Sequence, residues 1–348
     1  MKQRISLECS TINQKTVMRT KIHKTFTSLL SLLMLLSLLF SISFISCTSP
    51  EKEKRYIMGI LNPNPALETL IAGFKGEMAR YGYVEGKNIT YIEENNANDF
   101  DSALQNFKEK NVDMIFTATT PASRKAQAAV RGTDIPVVAT AYDPVGGGIV
   151  ENMIQKKDNI TGIKLGGSVP KALEWLLAVS PDIKRIFVPV KFDTKAAQLS
   201  LSELKNTAGK FNIDLLVSTV ETPKDLQEAL ASMPEDIDAV FILHSIFIVS
   251  NINIIMETAV KHKLPSGASA GQYTFGTIVS YGMNPGHSGE QAARLAHKIL
   301  QGAPASSLPF ETADFFLGIN LKTAAAIGLD IPFEIQDQAD YVVPPDRE

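Results

Sequence analysis

From Arg55 onward the chain alternates two rhythms: short runs of β-branched and aromatic residues, and longer stretches with an apolar residue every three or four positions. Tyr56–Leu61 predicts a strand. Leu67, Leu70, Ile71, Phe74, Met78 and Tyr81 follow at helical spacing and stop at Gly82. Strands are expected at Ile89–Glu93, Val112–Ala118 and Ile135–Ala141, with helices over Phe100–Lys110 and from Pro121 onward. The order restarts after Gly162 with a helix over Ser168–Val179, a strand at Arg185–Pro189 and a helix over Lys195–Lys210. A strand at Ile213–Thr219, a helix capped by Thr222-Pro223, a strand at Ile237–Leu243 and a helix over Ile248–His262 complete it. Such alternation predicts parallel sheets covered by helices.

The two halves also match in detail. Val112-Asp113-Met114-Ile115-Phe116 answers to Ile237-Asp238-Ala239-Val240-Phe241, Asn88-Ile89 to Asn212-Ile213, and Pro136 to Pro265. Two similar lobes in tandem are expected, with duplication as the simplest origin. In the tail, Thr277–Tyr281 and Phe315–Asn320 read as strands, and Ser288–Leu300 and Leu321–Ile327 as helices. One strand–helix unit for each lobe would carry the chain across between lobes three times. The expected fold class is α/β: two Rossmann-like lobes with parallel sheets, joined by a three-stranded hinge that permits rotation. The lobes are expected to comprise residues 55–163 plus 273–305 and residues 164–272 plus 306–348.

The N-terminal residues follow a different pattern. Lys21, His23 and Lys24 precede a Leu/Ser/Phe-rich stretch, Phe26 to Ser46, which ends in Phe44-Ile45-Ser46-Cys47. A basic segment, an apolar run and a small residue before the cut are what a signal peptidase reads. Residues 1–46 are therefore expected to be a lipoprotein-type signal peptide, with Cys47 the lipidated residue and 47–54 a polar tether. Phe44 departs from the Leu usual at its position, and Met18 offers an alternative start. The competing reading is an uncleaved membrane anchor. Either places the body outside the cytoplasm.

Six of the chain's 34 Lys and Arg residues, but one of its 37 acids, lie in those first 46 residues, so the body is more acidic than the net −3 suggests. An acidic body without a Lys/Arg run argues against a nucleic-acid partner. Beyond Cys47 there is no cysteine, which excludes disulfides, thiolate catalysis and Cys-bound metal in the body. His244, His262, His287 and His297 form no HxH or HExxH spacing, and neither a GxSxG elbow nor a phosphate-loop motif is present. No catalytic residue, metal or cofactor is expected.

Several ordered segments carry a family resemblance. Gly82-Tyr83-Val84-Glu85-Gly86-Lys87-Asn88-Ile89, Thr119-Thr120-Pro121-Ala122, Ile135-Pro136-Val137-Val138, Asp143-Pro144-Val145-Gly146 and Asn159-Ile160-Thr161-Gly162 follow one another at characteristic spacing. Ile319-Asn320-Leu321-Lys322-Thr323-Ala324, followed by Gly328-Leu329, closes the set. Over Tyr56 to Pro332 the chain resembles the ABC-transporter substrate-binding family that includes the tryptophan- and phenylalanine-binding receptors. The resemblance implies a type I periplasmic-binding-protein fold, an extracytoplasmic location and delivery of ligand to an ABC permease and its ATPase; a small-molecule ligand such as an amino acid and a monomeric receptor are expected. A sensor body for a membrane signalling partner and an extracytoplasmic enzyme are the alternatives.

In open α/β sheets ligands bind beyond the carboxyl ends of the strands. In the first lobe this points to Asn62-Pro63 and to Thr119-Thr120. Thr120 is the expected N-cap of a helix whose N–H groups at Ala122 and Ser123 would meet a ligand carboxylate. Asp143 would accept from a ligand ammonium. Plain helix capping explains Thr-Thr-Pro equally, and a turn explains Asp143. The second lobe offers Phe192, Asp193, Thr194, His244, Ser245 and Ala270. Here Leu243-His244-Ser245-Ile246-Phe247 stands where the family usually carries a Pro-Thr-Asp-Asn type segment, so an imidazole replaces a carboxylate. His244 reads either as a ligand-facing group or as a histidine packed at a strand end.

Overall fold

The computed structural model describes residues 54–95, 99–154, 158–192 and 194–345, and forms two sheets. Cys47, the signal peptide, the tether up to residue 53 and Asp193 lie outside the described residues. The first sheet contains β1 (Tyr56–Asn62), β2 (Ile89–Asn95), β3 (Met114–Ala118), β4 (Val137–Ala141) and β5 (Ile160–Lys164) in the order 2-1-3-4-5, all parallel. The second contains β6 (Arg185–Val190), β7 (Asp214–Thr219), β8 (Ala239–Ile242), β9 (Ser266–Ala268) and β10 (Val279–Met283) in the order 7-6-8-9-10, again parallel. The repeated order carries into three dimensions the duplication that the paired sequence segments predicted.

Helices α1 (Glu68–Arg80), α2 (Phe100–Glu109) and α3 (Thr120–Ala129) connect the first strands, and α4 (Val169–Val179), α5 (Lys195–Phe211) and α6 (Pro223–Ala231) belong to the second half. Local chemistry sets their ends. Thr222 and Asp225 form a reciprocal capping box at the start of α6, and Asn212, in the left-handed region at φ 56°, ends α5. The single helix expected over Ile248–His262 is two, α7 (Ile246–Ser250) and α8 (Ile252–Lys261), because Asn251 leaves helical geometry and donates its side-chain amide to the Phe247 carbonyl.

Beyond α8 the chain departs from the expected lobe boundaries. Residues 273–305, expected in the first lobe, divide: β10 belongs to the second sheet, and only helix α9 (Pro285–Leu300) returns to pack on α1. Residues 306–348, expected in the second lobe, also divide. The short β11 (Glu311–Thr312) pairs with β5, whereas β12 (Phe315–Asn320) pairs antiparallel with β10, and β13 (Tyr341–Val343) is parallel to β12. Alternation of apolar residues marks a strand but carries no record of which sheet it joins. The crossings therefore fall at residues 164–168, 283–285 and 312–315, a three-stranded hinge.

Each lobe has its own core. Phe74 and Phe116, both fully buried, stack with ring centroids 4.0 Å apart in the first lobe, where hinge residues Leu165, Met283, Ala313 and Phe315 also pack. Phe241, Leu176 and Ile186 centre the second. The seam between α1 and α9 is built on glycine, since a Cβ on Gly289 would collide with the backbone of Leu70 and Phe74. A backbone neighbour cannot rotate away. Gly289→Ala is accordingly expected to cost about 1–3 kcal/mol, read as a lower midpoint in urea with an unchanged slope. An unchanged midpoint would show that the two helices can separate freely.

Candidate functional site

In sheets of order 2-1-3-4-5 the switch point lies between the first and third strands, where successive connections leave on opposite faces and open a crevice. In the first lobe that point is flanked by the ends of β1 and β3, hence by Asn62-Pro63 and Thr119-Thr120. In the second it is flanked by the ends of β6 and β8, hence by Phe192, Thr194, His244 and Ser245. Topology thus gathers, within each lobe, segments far apart in sequence.

Thr119 is the unusual residue of the first lobe. Its backbone has φ 96° and ψ 149°, a region open almost only to glycine. The conformation is held from three sides: Thr119 N–H donates to the Thr140 carbonyl at 3.1 Å, and its own carbonyl accepts from Ser123 N–H at 3.0 Å and Ser123 Oγ at 2.7 Å. Thr119, not Thr120, is therefore the N-cap, its Oγ1 3.5 Å from Ala122 N. The expected carboxylate cradle is corrected accordingly: Ala122 and Ser123 are fully buried, and their N–H groups bond back to Thr119. Thr120, the first residue of the helix, has no helical carbonyl four residues back to take its N–H, and Pro121 has no N–H.

Other candidates are also committed to local structure. Asn62 is buried and its Oδ1 accepts from Asn64 N–H at 3.1 Å, fixing the loop around Pro63. Thr120 Oγ1 accepts from Tyr142 N–H at 3.2 Å. Asp143 Oδ1 accepts from Val145 and Gly146 N–H at 3.1 and 3.0 Å, the turn that was the alternative reading of this residue. In the second lobe Thr194 caps α5 and Ser245 caps α7. Ala270 is buried against the backbone of Gly282, so it offers no side-chain contact. Beside it Ser269 Oγ and Gln272 Oε1 are buried with no hydrogen-bond partner among the described residues, which makes them polar contacts in search of a mate.

Apolar surface is concentrated at the second lobe's strand ends. Phe192 and Ile246 are 41% and 37% exposed, and both follow strands that pair with each other. Phe247 is covered instead by Lys191, whose Nζ lies 4.6 Å from the ring centroid and donates to the Glu221 carbonyl. His244 is half-buried. Its environment holds the imidazole below its ordinary value by desolvation, so it is neutral at neutral pH. Its ring lies 5.7 Å from that of Tyr142 in the other lobe. Tyr142 also donates its hydroxyl to Glu203 Oε2 at 3.2 Å, again across the lobes. Sequence reasoning passed over both residues: Tyr142 lies one position before Asp143, and Glu203 is mid-helix, where carboxylates are ordinarily solvated. Among the described residues no cluster of three or more His, Cys, Asp or Glu side chains is arranged to hold a metal, and no helix is long and apolar enough to cross a membrane.

Two α/β lobes of repeated strand order, joined by a three-stranded hinge, define a receptor that takes a small molecule between its halves. The chain belongs to the ABC transporter substrate binding protein family, whose pattern matches residues 58–343. It is 27% identical over 272 residues to the tyrosine-binding protein of Clostridioides difficile strain R20291, covering 77% of this chain and 78% of that protein. Among solved structures, a conserved domain protein from Vibrio cholerae superposes with TM-score 0.72 at 27% identity, covering 84% of this chain and 100% of the other. The ABC domain from Streptococcus pneumonia, solved in complex with L-Trp, superposes with TM-score 0.72 at 20% identity, covering 83% of this chain and 100% of the other. The protein is a substrate-binding protein of the type I periplasmic-binding fold, which captures a solute for ABC transport.

Proposed function

We propose that this receptor binds an aromatic amino acid or a close analogue, and that it works without chemistry of its own as a monomer tethered to the envelope through a lipid on Cys47. The observation that carries the ligand class is the pairing of exposed Phe192 and Ile246 at one switch point with the half-buried Thr119 and Thr120 at the other. Large apolar side chains standing exposed at a strand-end crevice fit a ligand with an apolar body and a polar head. The tyrosine-binding relative supports the same class, and the lipobox-like Phe44-Ile45-Ser46-Cys47 supports the anchor. Closure of the two lobes would complete the site and present one composite surface to the permease.

A thermal-shift comparison of L-tyrosine, L-tryptophan and L-phenylalanine against sugars, purines and organic acids tests this reading. A ligand bound only by the native state stabilises by mass action, about 2.7 kcal/mol at a hundred times its Kd. The expected result is a rise of several degrees with at least one aromatic amino acid and none with sugars. A rise with sugars alone would overturn the ligand class while leaving the receptor reading in place.

A further inference from the structure

The hydrogen bond from Tyr142 Oη to Glu203 Oε2 joins residues 61 positions apart, on opposite lobes, close to where the first hinge segment leaves β5. The donor is fixed. Tyr142 is 7% exposed, its N–H is held by Thr120 Oγ1, and its carbonyl accepts from Gly166 N–H at 2.8 Å. Its ring is pressed against the hinge itself, since a Cβ on Gly166 would stand 2.7 Å from both Tyr142 Cε1 and the Tyr142 carbonyl oxygen. The acceptor is carried near the middle of α5, on the other lobe. Rotation about the hinge changes the distance between the held Tyr142 ring and the α5 backbone that carries Glu203, because the two sit on different lobes.

We propose that the Tyr142–Glu203 hydrogen bond is an interlobe clasp that favours the closed arrangement, and that Glu203 is a positioning residue for ligand capture. It acts through Tyr142, whose ring packs on His244 at the end of β8 and whose N–H engages Thr120 at the start of α3. The inference rests on the receptor reading above. A ligand that needs the closed form binds with an apparent affinity scaled by the population of that form, so a contact that never touches the ligand still sets its Kd. One hydrogen bond to a charged acceptor changes such a population by about tenfold or more.

The charge of Glu203 gives the clasp a pH dependence. Burial pushes its carboxyl above the ordinary range, while the bond from Tyr142 and the positive charge of Lys164 pull it down and Asp143 adds to the upward push. An opened lobe would return the carboxylate to water. The closed form therefore takes up a proton more readily, and closure is favoured as pH falls through the raised value and opposed as pH rises. Burial holds His244, which faces Tyr142, below its ordinary value, so its protonation acts in the opposite sense at acid pH. Glu203→Gln keeps His244 and removes only the carboxylate, which separates the two.

The body carries no cysteine beyond Cys47, so the full chain with Cys9→Ser and Cys47→Ser accepts spin labels at Lys110→Cys and Glu235→Cys, exposed positions on the two lobes. Pulsed electron resonance without ligand, together with calorimetry on L-tyrosine and 3-(4-hydroxyphenyl)propanoate, reads the clasp directly. Tyr142→Phe is expected to move the label distances toward the open form and to weaken binding about tenfold. Glu203→Gln, whose amide oxygen still accepts, is expected to bind at least as tightly as wild type near neutrality. Wild type and Glu203→Gln should converge as pH falls through the raised value of Glu203. Unchanged distances in Tyr142→Phe would overturn the proposal. So would a loss in Glu203→Gln confined to L-tyrosine and spared for the deaminated analogue, which would make Glu203 a ligand contact. If wild type binds neither compound, the ligand class falls, and the label distances in Tyr142→Phe still decide the clasp.

Discussion

Thr119→Gly is expected to raise the melting temperature while weakening ligand capture about tenfold. The backbone at Thr119 lies at φ 96° and ψ 149°, where a residue with a Cβ is strained by about 1–3 kcal/mol and glycine is not. The substitution sacrifices only one long cap contact, Ala122 N to Thr119 Oγ1 at 3.5 Å, and a Thr-to-Gly change at an N-cap costs a few tenths of a kcal/mol. Relief should exceed that loss. For a body of this size the gain corresponds to roughly 2–6 °C in scanning calorimetry. Affinity moves the other way because the half-exposed hydroxyl at the switch point is removed and the loop is freed. A lower melting temperature would show that the strain is absent, and an unchanged Kd would reduce Thr119 to a helix cap.

Phe116→Ala is expected to produce the largest loss of stability, about 3–5 kcal/mol, and to split one unfolding transition into two. Phe116 lies on β3, fully buried and stacked on Phe74 with an interplanar angle of 6°. Its removal leaves a cavity beside the Phe74 ring in a densely packed core. The apolar clusters around Phe74 and around Phe241 belong to different lobes, so damage to one leaves the other's packing in place. Calorimetry should therefore show the first lobe melting ahead of the second. A single transition shifted downward would mean that the hinge couples the two cores fully. Because β3 carries Thr119 at its end, the first lobe's share of the site should be lost with the first transition.

Much of this architecture was legible in the linear chain, for reasons visible at particular residues. Phe315–Asn320 and Leu321–Ile327 were read with their observed bounds because an apolar run stops abruptly at Asn320, whose side chain caps the helix. Thr222-Pro223 announced α6 through its own hydrogen bonds. Elements with weaker signals were lost or displaced: β11 is two residues long, and β10 begins two residues later than its apolar run suggests. The candidate site was legible as a set of strand ends, but not as a set of roles. Ala122, Ser123 and Ala270 lie where expected and yet are buried, because a helix start satisfies its own donors and Gly282 admits the backbone beside Ala270.

What the sequence determined by itself is what depends on neighbours along the chain: the rhythm of strands and helices, their caps, the duplication and hence the two-lobed class. Those signals are local because hydrogen bonds within a helix turn, and side-chain alternation along a strand, involve residues a few positions apart. Only the tertiary structure decided which sheet received β10 and β11, how closely α9 could approach α1 over Gly289, and that Tyr142 meets Glu203. These outcomes depend on the direction of side chains and the path of the hinge, quantities set by packing between segments distant in sequence and written in no single stretch of it.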